Sequence, residues 1–456
     1  MTSRQIVLVG GGHAHMQVIK ALTRAAVPNY SVTLIDPSPT PCYSGMVPGC
    51  VSGLYTQDQT KIQLAPLAAW AGIDYRKASV IDICPEEQTM TLSDSSIIKY
   101  DVASLDIGSR TRDATTTPGV SSFAIPTRPI SDLVTCIETA EQKLTAAGSS
   151  PASVVVVGAG AAGIELALAM RARWSALFPS ADFKVTLLDA GAKLVPHESA
   201  DCQQATNDAL AERNIGVEHG CEVKEVTEAE VLLKDGRVVP ASHVIWATGA
   251  QAHPLAAKLQ ERGLGVDARG WVQVNRHLQS RTHSNIFAAG DCCSVVDDSF
   301  APPPKAGVYA VRSGPVLVEN IVKLLEGKAL TAYKPQDDFL KLLMTGDGQA
   351  IGFRFGMALK GKWVWEMKDH IDGMFMDLFK EERLGDAGGG LRVEQYDAKD
   401  VVDVSGVGAE EAERELGRTD DGVDYLRNWG ILKKMIGDDA FRGEVQAARK
   451  RAESLS

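Results

Sequence analysis

Two short apolar runs along the chain each lead into a cluster of glycines and then into a helical pattern of apolar residues. The first run covers residues 6–9 and precedes the glycines at 10–12, and the second covers residues 154–157 and precedes the glycine-rich stretch 158–163. A continuous apolar run of this length is typical of a buried strand in a parallel sheet. The pattern therefore predicts two separate strand–turn–helix units.

Each unit is followed by a second apolar strand that ends in an aspartate, Asp36 in the first unit and Asp189 in the second. In a dinucleotide-binding fold, the glycine turn lets backbone N–H groups approach a diphosphate, and the acid accepts hydrogen bonds from ribose hydroxyl groups. Asp36 suits the adenosine ribose of FAD. Asp189 favours NADH, because a carboxylate repels a 2′-phosphate, although the nearby Lys193 weakens that preference and leaves NADPH as an alternative.

The first turn departs from the usual pattern because His15 stands where its third glycine is expected. A larger side chain there predicts either altered packing of the helix on the sheet or a contact with the ligand. For His13 and His15 we favour simple hydrogen bonding near a phosphate over proton transfer.

The rest of the pattern predicts short strands at 75–106 and 222–247, a loop at Pro302–Pro304 followed by a helix, and an amphipathic helix at 365–379. The predicted fold class is α/β, with two Rossmann-like dinucleotide-binding domains and a C-terminal α+β interface region. The FAD-binding domain is expected in two segments, 1–125 and 271–333, on either side of an NAD(P)H-binding domain at 126–270. The C-terminal interface region is expected at 334–385, and a linker and charged helical tail at 386–456.

Composition narrows the function classes. The 456 residues carry a net charge of −11, which disfavours a nucleic-acid partner because phosphate binding needs clustered Lys and Arg. No apolar run reaches the roughly 18 residues that a membrane span needs, and the chain enters a strand pattern at Gln5, so we expect no leader peptide. The eight cysteines lack metal-ligand spacing, which predicts reduced thiols, no metal site, and a location in the cytoplasm or on the matrix side of an organelle.

The order of the motifs carries a family resemblance. After the two glycine turns come Ala-Thr-Gly at 247–249 and a strand that ends in Gly290-Asp291. This order resembles the flavoproteins with two dinucleotide-binding domains, which include disulfide reductases, type II NADH dehydrogenases and sulfide:quinone oxidoreductases. The resemblance implies that Gly290-Asp291 contacts the diphosphate and ribityl chain of FAD.

The type II NADH dehydrogenase branch is the better match. Residues 43–49 (Tyr-Ser-Gly-Met-Val-Pro-Gly) resemble its flavin-edge loop, and 164–167 (Ile-Glu-Leu-Ala) resemble the helix that places a Glu near the nicotinamide pocket. Residues 10–15, 304–312 and 339–348 resemble a subgroup that also occurs fused ahead of selenide, water dikinase. We expect no such kinase here, because only about 75 residues follow the resemblance.

These motifs give a set of candidate residues. The predicted cofactor-binding residues are Gly10, Gly12, His13, Ala14, Asp36, Ser44, Gly45, Met46, Pro48, Gly158, Gly160, Gly163, Asp189, Gly249, Gly290, Asp291, Lys305 and Ala306. The predicted catalytic residues are Glu165 and Lys305. Lys305 either stabilises negative charge on reduced flavin or a quinone oxygen, or simply solvates a loop, whereas for Glu165 we favour a nicotinamide or ribose contact over an exposed helical position.

The cysteines leave one question open. Cys42 and Cys50 lie where disulfide reductases carry their redox pair, but seven residues separate them instead of four. Redox pairs depend on close geometry, so we favour a non-redox role. For Cys292 and Cys293 we favour buried packing over a disulfide.

The predicted function is an FAD-dependent oxidoreductase that passes a hydride from NAD(P)H to flavin and then electrons to an acceptor, with a quinone favoured by the resemblance. One alternative is a reductase of a disulfide, a selenium compound or a protein carrier. Another is a flavin-bearing scaffold or NADH sensor, suggested by the charged segment from Glu410. The apolar stripe at 363–379 predicts core or homodimer packing, and the acidic tail limits any membrane contact to a peripheral one.

Overall fold

The computed structural model of the chain describes residues 4–380, except 24–26, 28 and 355, together with Leu384. The linker and charged helical tail predicted at 386–456 lie outside the described residues.

The described residues form 23 strands and ten α-helices, in which strand–helix alternation is interrupted by runs of consecutive short strands. The strands are β1 (Arg4–Val9), β2 (Tyr30–Ile35), β3 (Asp74–Arg76), β4 (Val80–Cys84), β5 (Thr89–Leu92), β6 (Ile97–Lys99), β7 (Val102–Leu105), β8 (Arg110–Thr111), β9 (Ala124–Pro126), β10 (Ser153–Val157), β11 (Lys184–Leu188), β12 (Ile215–Glu218), β13 (Val223–Val226), β14 (Glu230–Leu233), β15 (Val238–Pro240), β16 (His243–Trp246), β17 (Ala250–Gln251), β18 (Val272–Val274), β19 (Ile286–Ala288), β20 (Cys293–Val295), β21 (Lys341–Met344), β22 (Ala350–Arg354) and β23 (Met357–Gly361). The α-helices are α1 (His13–Ala21), α2 (Val47–Ser52), α3 (Leu64–Ala71), α4 (Val120–Phe123), α5 (Ile130–Ala146), α6 (Ala161–Leu177), α7 (Ala200–Glu212), α8 (Leu255–Glu261), α9 (Gly307–Leu325) and α10 (Lys362–Asp377).

Two five-stranded parallel sheets organise the molecule. The first has the order β19-β7-β1-β2-β3 and the second the order β12-β11-β10-β16-β9. Both glycine turns follow the central strand of their sheet, at the carboxyl ends where open α/β sheets bind ligands. The strand β19 joins the first sheet although it follows the second sheet in sequence, so the chain leaves the first sheet and returns to it. The predicted α/β class with two Rossmann-like units is confirmed.

Apolar burial explains these sheets. Residues 6–9 of β1 and 154–157 of β10 are almost wholly buried, as expected for strands that are covered on both faces. Helix α1 packs against α9, where the Gln17 side-chain amide donates to the Val311 carbonyl oxygen at 2.5 Å. A turn at Asp235-Gly236 joins the antiparallel strands β14 and β15, within the segment predicted to form short strands.

The C-terminal region of the described chain is an antiparallel sheet, β21-β22-β23, followed by α10. Val364, Met367, Phe375 and Met376 of α10 are buried within the chain's own core. The predicted α+β region is therefore present. Within the described residues, no helix has both the length and the apolar character needed to cross a bilayer.

Candidate functional site

Two cavities lie against the two glycine turns. The cavity at the first turn, called here the first cavity, has a volume of about 400 Å³, and the second cavity, at the second turn, has a volume of about 960 Å³. Predicted residues on the walls of the first cavity are Gly10, Gly12, His13, Asp36, Ser44, Asp291, Lys305 and Ala306. Those on the walls of the second are Ser44, Pro48, Gly160, Glu165, Gly249, Lys305 and Ala306. Six others, Ala14, Gly45, Met46, Gly158, Gly163 and Asp189, line neither cavity, and Gly290 borders a third one of only about 30 Å³.

The first turn requires glycine for a steric reason. Gly10 has φ +91°, and a Cβ atom there would overlap the backbone carbonyl of Asp106. A Cβ atom on Gly12 would overlap the Asp106 carboxyl group. The turn therefore packs directly on the end of β7, and its other side faces the first cavity.

Asp106 was missed by sequence reasoning, although it follows an apolar strand just as Asp36 does. Its Oδ2 accepts hydrogen bonds from the backbone N–H groups of Ala14 and His15 at 2.9 and 3.1 Å, so it caps the N-terminus of α1. Burial raises the pKa of Asp106 to about 7, and these two hydrogen bonds oppose the rise. Ala14, predicted to bind the cofactor, gives its N–H to this carboxyl group.

His15 explains the departure from the glycine pattern. The side chain is fully buried, with Nδ1 at 2.7 Å from the Gly10 carbonyl oxygen and Nε2 at 2.8 Å from Ser104 Oγ. Burial lowers the pKa of His15 to about 4. Of the two expectations, altered helix–sheet packing is what the structure shows, because the ring bridges the turn and β7.

Asp36 lies at the wall of the first cavity. Its carboxylate accepts hydrogen bonds from the backbone N–H groups of Gly11 and Ser38, at 2.6 and 2.7 Å. Burial raises the pKa of Asp36, and these hydrogen bonds oppose the rise. The two bonds fix the carboxylate beside the glycine turn, the position expected of a ribose acceptor.

The glycines of the second turn have two different roles, close packing and lining of the cavity. Gly158 has φ +104°, and a Cβ atom on Gly163 would overlap the Gly158 carbonyl oxygen. In contrast, a Cβ atom on Gly160 would meet nothing within 4 Å, and Gly160 lines the second cavity. Gly163 thus permits the close approach of α6 to the turn, whereas Gly160 faces the space for a ligand.

The two cavities meet at Lys305, which lines both. Its ammonium group donates to the Cys293 carbonyl oxygen and lies 4.3 Å from the centre of the Trp271 ring. Arg128 also lines both cavities and lies 3.5 Å from a carboxylate oxygen of Asp291, which accepts a further hydrogen bond from Ser109 Oγ at 3.0 Å. Arg128 and Trp271 come from distant segments without a motif, so no local pattern in the sequence marks them.

The loop that carries Ser44 packs under α10. Ser44 N–H and Oγ lie 3.4 and 3.2 Å from His13 Nε2, and the rings of His13, Tyr43 and Phe375 are packed together with centroids 4.5–5.9 Å apart. Burial lowers the pKa of His13 to about 4, against a smaller effect of Asp291. His13 is therefore neutral near pH 7, consistent with hydrogen bonding rather than proton transfer.

A buried charge cluster joins the second cavity to α10. Glu165 Oε1 accepts a hydrogen bond from the Met344 N–H at 3.0 Å, and Lys368 Nζ lies 2.8 Å from Asp372 Oδ2 and 2.7 Å from the Gly45 carbonyl oxygen. Burial raises the pKa of Glu165 to about 7, while Lys368 opposes the rise. Burial by itself would lower the pKa of Lys368, but Asp372 and Glu165 outweigh it and raise that pKa. Gly45, predicted to touch the cofactor, thus contacts α10 through its carbonyl group.

The cysteines are free thiols in the structure. Burial raises the pKa of Cys42, and it raises the pKa of Cys50 to about 11, which disfavours reactive thiolates. Cys292 and Cys293 are buried, as predicted. Among the described residues, no three His, Cys, Asp or Glu side chains form a group that could hold a metal ion.

The walls of the cavities fit two dinucleotides. Each glycine turn follows a central strand and begins a helix. A Cβ atom would overlap neighbouring atoms at Gly10 and Gly12 of the first turn and at Gly158 and Gly163 of the second. Asp36 lies on the wall of the first cavity, and Asp189 follows β11, the strand paired with β10. Arg128 and Lys305 add positive charge where the cavities meet. This donor set suits diphosphates and ribose hydroxyl groups.

Comparison with known proteins agrees with this geometry. A family model described as pyridine nucleotide-disulphide oxidoreductase matches residues 4–314. The type II NADH:quinone oxidoreductase of Haemophilus influenzae is 22% identical over 377 residues, which cover 73% of this chain and 83% of that protein. The NADH dehydrogenase-like protein YutJ of Bacillus subtilis is 24% identical over 378 residues, which cover 80% of this chain and 99% of that protein.

Solved structures share the fold. The sulfide:quinone oxidoreductase of Aquifex aeolicus aligns with a TM-score of 0.71 at 20% identity, over 85% of this chain and 93% of that one. NDH2 of Plasmodium falciparum, solved in complex with NADH, aligns with a TM-score of 0.70 at 14% identity, over 84% of this chain and 96% of that one.

Proposed function

We propose, from the premise that the chain belongs to the pyridine nucleotide-disulphide oxidoreductase family, that it oxidises NADH through bound FAD and passes the electrons to a quinone. The observation that carries this proposal is the meeting of the two cavities at Ser44, Arg128 and Lys305. A dinucleotide bound along the first cavity and one bound along the second would therefore bring their far ends together at these shared residues.

The residues divide the binding work between the two cavities. The first turn and Asp36 would hold the diphosphate and adenosine ribose of FAD, and Asp291 would accept hydrogen bonds from its ribityl hydroxyl groups. The second turn and Asp189 would hold NADH. Bound FAD supplies the redox chemistry, because it accepts a hydride from NADH and gives up the electrons to an acceptor.

Two side chains near the junction of the cavities have the chemistry for catalysis. Lys305 presents a fixed cation, which would stabilise negative charge developing at that point. The Glu165 carboxyl group, with a pKa of about 7, can hold or release a proton near neutral pH. The role proposed for Lys305 is the charge-stabilising one expected from the sequence, whereas Glu165 was expected to contact the nicotinamide or a ribose.

The quinone acceptor is supported by the names of relatives, including the Haemophilus influenzae protein. To test it, the purified protein is reduced with NADH without oxygen and then mixed with a quinone analogue or with a small disulfide. We expect rapid return of the oxidised flavin spectrum with the quinone and not with the disulfide.

A double variant, Cys42→Ser with Cys50→Ser, separates quinone reduction from a dithiol mechanism. We expect it to keep the quinone rate, because neither thiol is activated in the structure. Reoxidation by the disulfide alone, lost in the double variant, would instead favour a disulfide reductase. A flavin that NADH reduces but no small acceptor reoxidises would point to a protein carrier or a sensor.

A further inference from the structure

We propose that His219 is a second residue that selects between NADH and NADPH, acting beside Asp189. This inference rests on the proposed function, because it concerns the nucleotide that the second glycine turn would hold. The dinucleotide-binding motif includes the acid, Asp189, but it does not include a histidine at the position of His219.

The backbone holds His219 next to Asp189. Strands β11 and β12 are parallel neighbours, and Leu188 lies opposite Glu218. The loops that follow them are joined by hydrogen bonds from Asp189 N to Glu218 O at 2.8 Å and from Cys221 N to Asp189 O at 2.8 Å. The position of His219 therefore follows from the sheet and does not depend on its own side chain.

Both oxygens of the Asp189 carboxylate are engaged. Oδ1 accepts a hydrogen bond from the Gly191 N–H at 3.0 Å, and Oδ2 lies 3.2 Å from His219 Nδ1. A carboxylate only accepts, so this contact assigns the proton to Nδ1 in the neutral ring. Nε2 is then an acceptor, and 36% of the His219 side chain is exposed to solvent.

Two acceptors side by side discriminate between the two nucleotides. The 2′-hydroxyl group of NADH can donate a hydrogen bond to Asp189 or to His219 Nε2, whereas the 2′-phosphate of NADPH offers no donor and repels the carboxylate. Loss of the His219 ring would remove one of these two acceptors and leave Asp189 Oδ2 without the Nδ1 contact.

Other charges near His219 do not take over this role. The groups in contact with His219 are the Asp189 carboxylate and the Cys221 thiol, and Arg237 donates to Cys221 Sγ at 3.5 Å. Arg237 is paired with Glu218 at 3.2 Å and with Asp235 at 2.8 Å, so two carboxylates already offset its charge. The Cys221 thiol donates to the His219 carbonyl oxygen at 3.5 Å.

The test compares His219→Leu and His219→Gln with His283→Leu as the matched control. His283 also faces a carboxylate, Glu86 at 3.8 Å, but it lies just before β19 of the first sheet, whereas Asp189 follows a strand of the second sheet. Calorimetry on the oxidised, FAD-loaded protein at pH 8 measures the dissociation constants of NAD⁺ and NADP⁺ without interference from flavin reduction.

We expect the wild type and His283→Leu to show the same preference for NAD⁺ over NADP⁺. In His219→Leu that preference should be about fivefold smaller, the effect of one hydrogen bond to a neutral acceptor. His219→Gln should restore part of the preference, because its amide can donate to Asp189 and accept from the 2′-hydroxyl group.

An equal preference for NAD⁺ in His219→Leu and His283→Leu would overturn the role of His219. Failure of the wild type to bind either nucleotide would instead overturn the proposed function, and this inference with it. Tight NAD⁺ binding with unaltered selectivity in His219→Leu would leave the proposed function standing and reject only the inference.

Discussion

Gly160 and Gly163 of the second turn have different structural roles, although the sequence motif treats them alike. Gly163 has the Gly158 carbonyl oxygen in the space of its missing side chain, whereas Gly160 borders the second cavity. Sequence pattern alone treats both as ligand-binding positions. The distinction depends on which side of the turn each Cα faces, and this becomes visible only when the helix is placed on the sheet.

This difference predicts opposite outcomes for two alanine variants. Gly163→Ala should lower the free energy of unfolding by about 1–3 kcal/mol, because α6 must move away from the turn. Gly160→Ala should leave stability nearly unchanged and weaken NAD⁺ binding, because its methyl group would enter the second cavity. Urea denaturation and calorimetric titration measure the two effects, and equal loss of stability in both variants would contradict the assignment.

The residues that sequence reasoning missed share a physical cause. Asp106, Arg128, Trp271 and Lys368 reach the site from segments far from the glycine turns. Asp36 and the two turns were predictable because strand, turn, helix and acid follow one another locally. His15 shows the limit of that approach, since its burial depends on Ser104 of another strand.

At the scale of elements, α10 connects the C-terminal sheet to the candidate site. The sequence predicted this helix from its apolar period, but the same pattern hid two charged residues on the buried face. Lys368 and Asp372 are only 6% and 7% exposed, and Lys368 also binds the loop at Gly45. The spacing of apolar residues along the helix cannot reveal such a pair, because Lys368 also binds a carbonyl group from a distant loop.

The buried pair gives a prediction with a control on the same helix. Lys368→Met should lower the free energy of unfolding by about 3–5 kcal/mol, because it leaves Asp372 buried without its cation. Lys362→Met removes a solvent-exposed pair, with Glu366 at 3.9 Å, and should cost less than about 1 kcal/mol. Urea denaturation of both variants is the measurement. Similar small losses would show that the Asp372 charge is not buried in solution.

At the scale of the whole molecule, the path of the chain creates the site. The chain leaves the first sheet, builds the second, and returns through β19, after which Lys305 and α9 follow. Lys305 thereby reaches both cavities, and no local motif specifies that meeting. The order of motifs was sufficient to predict the fold class, whereas the contact between the two cavities required the assembled structure.

The central claim is that one protein brings NADH and FAD together for hydride transfer. An anaerobic absorbance titration of the purified, FAD-loaded protein with NADH tests this claim most directly. We predict that the absorbance of oxidised flavin is lost in proportion to added NADH, with an endpoint at one NADH per FAD. A purified protein that retains no FAD, or a bound flavin that stays oxidised in excess NADH, would contradict the account.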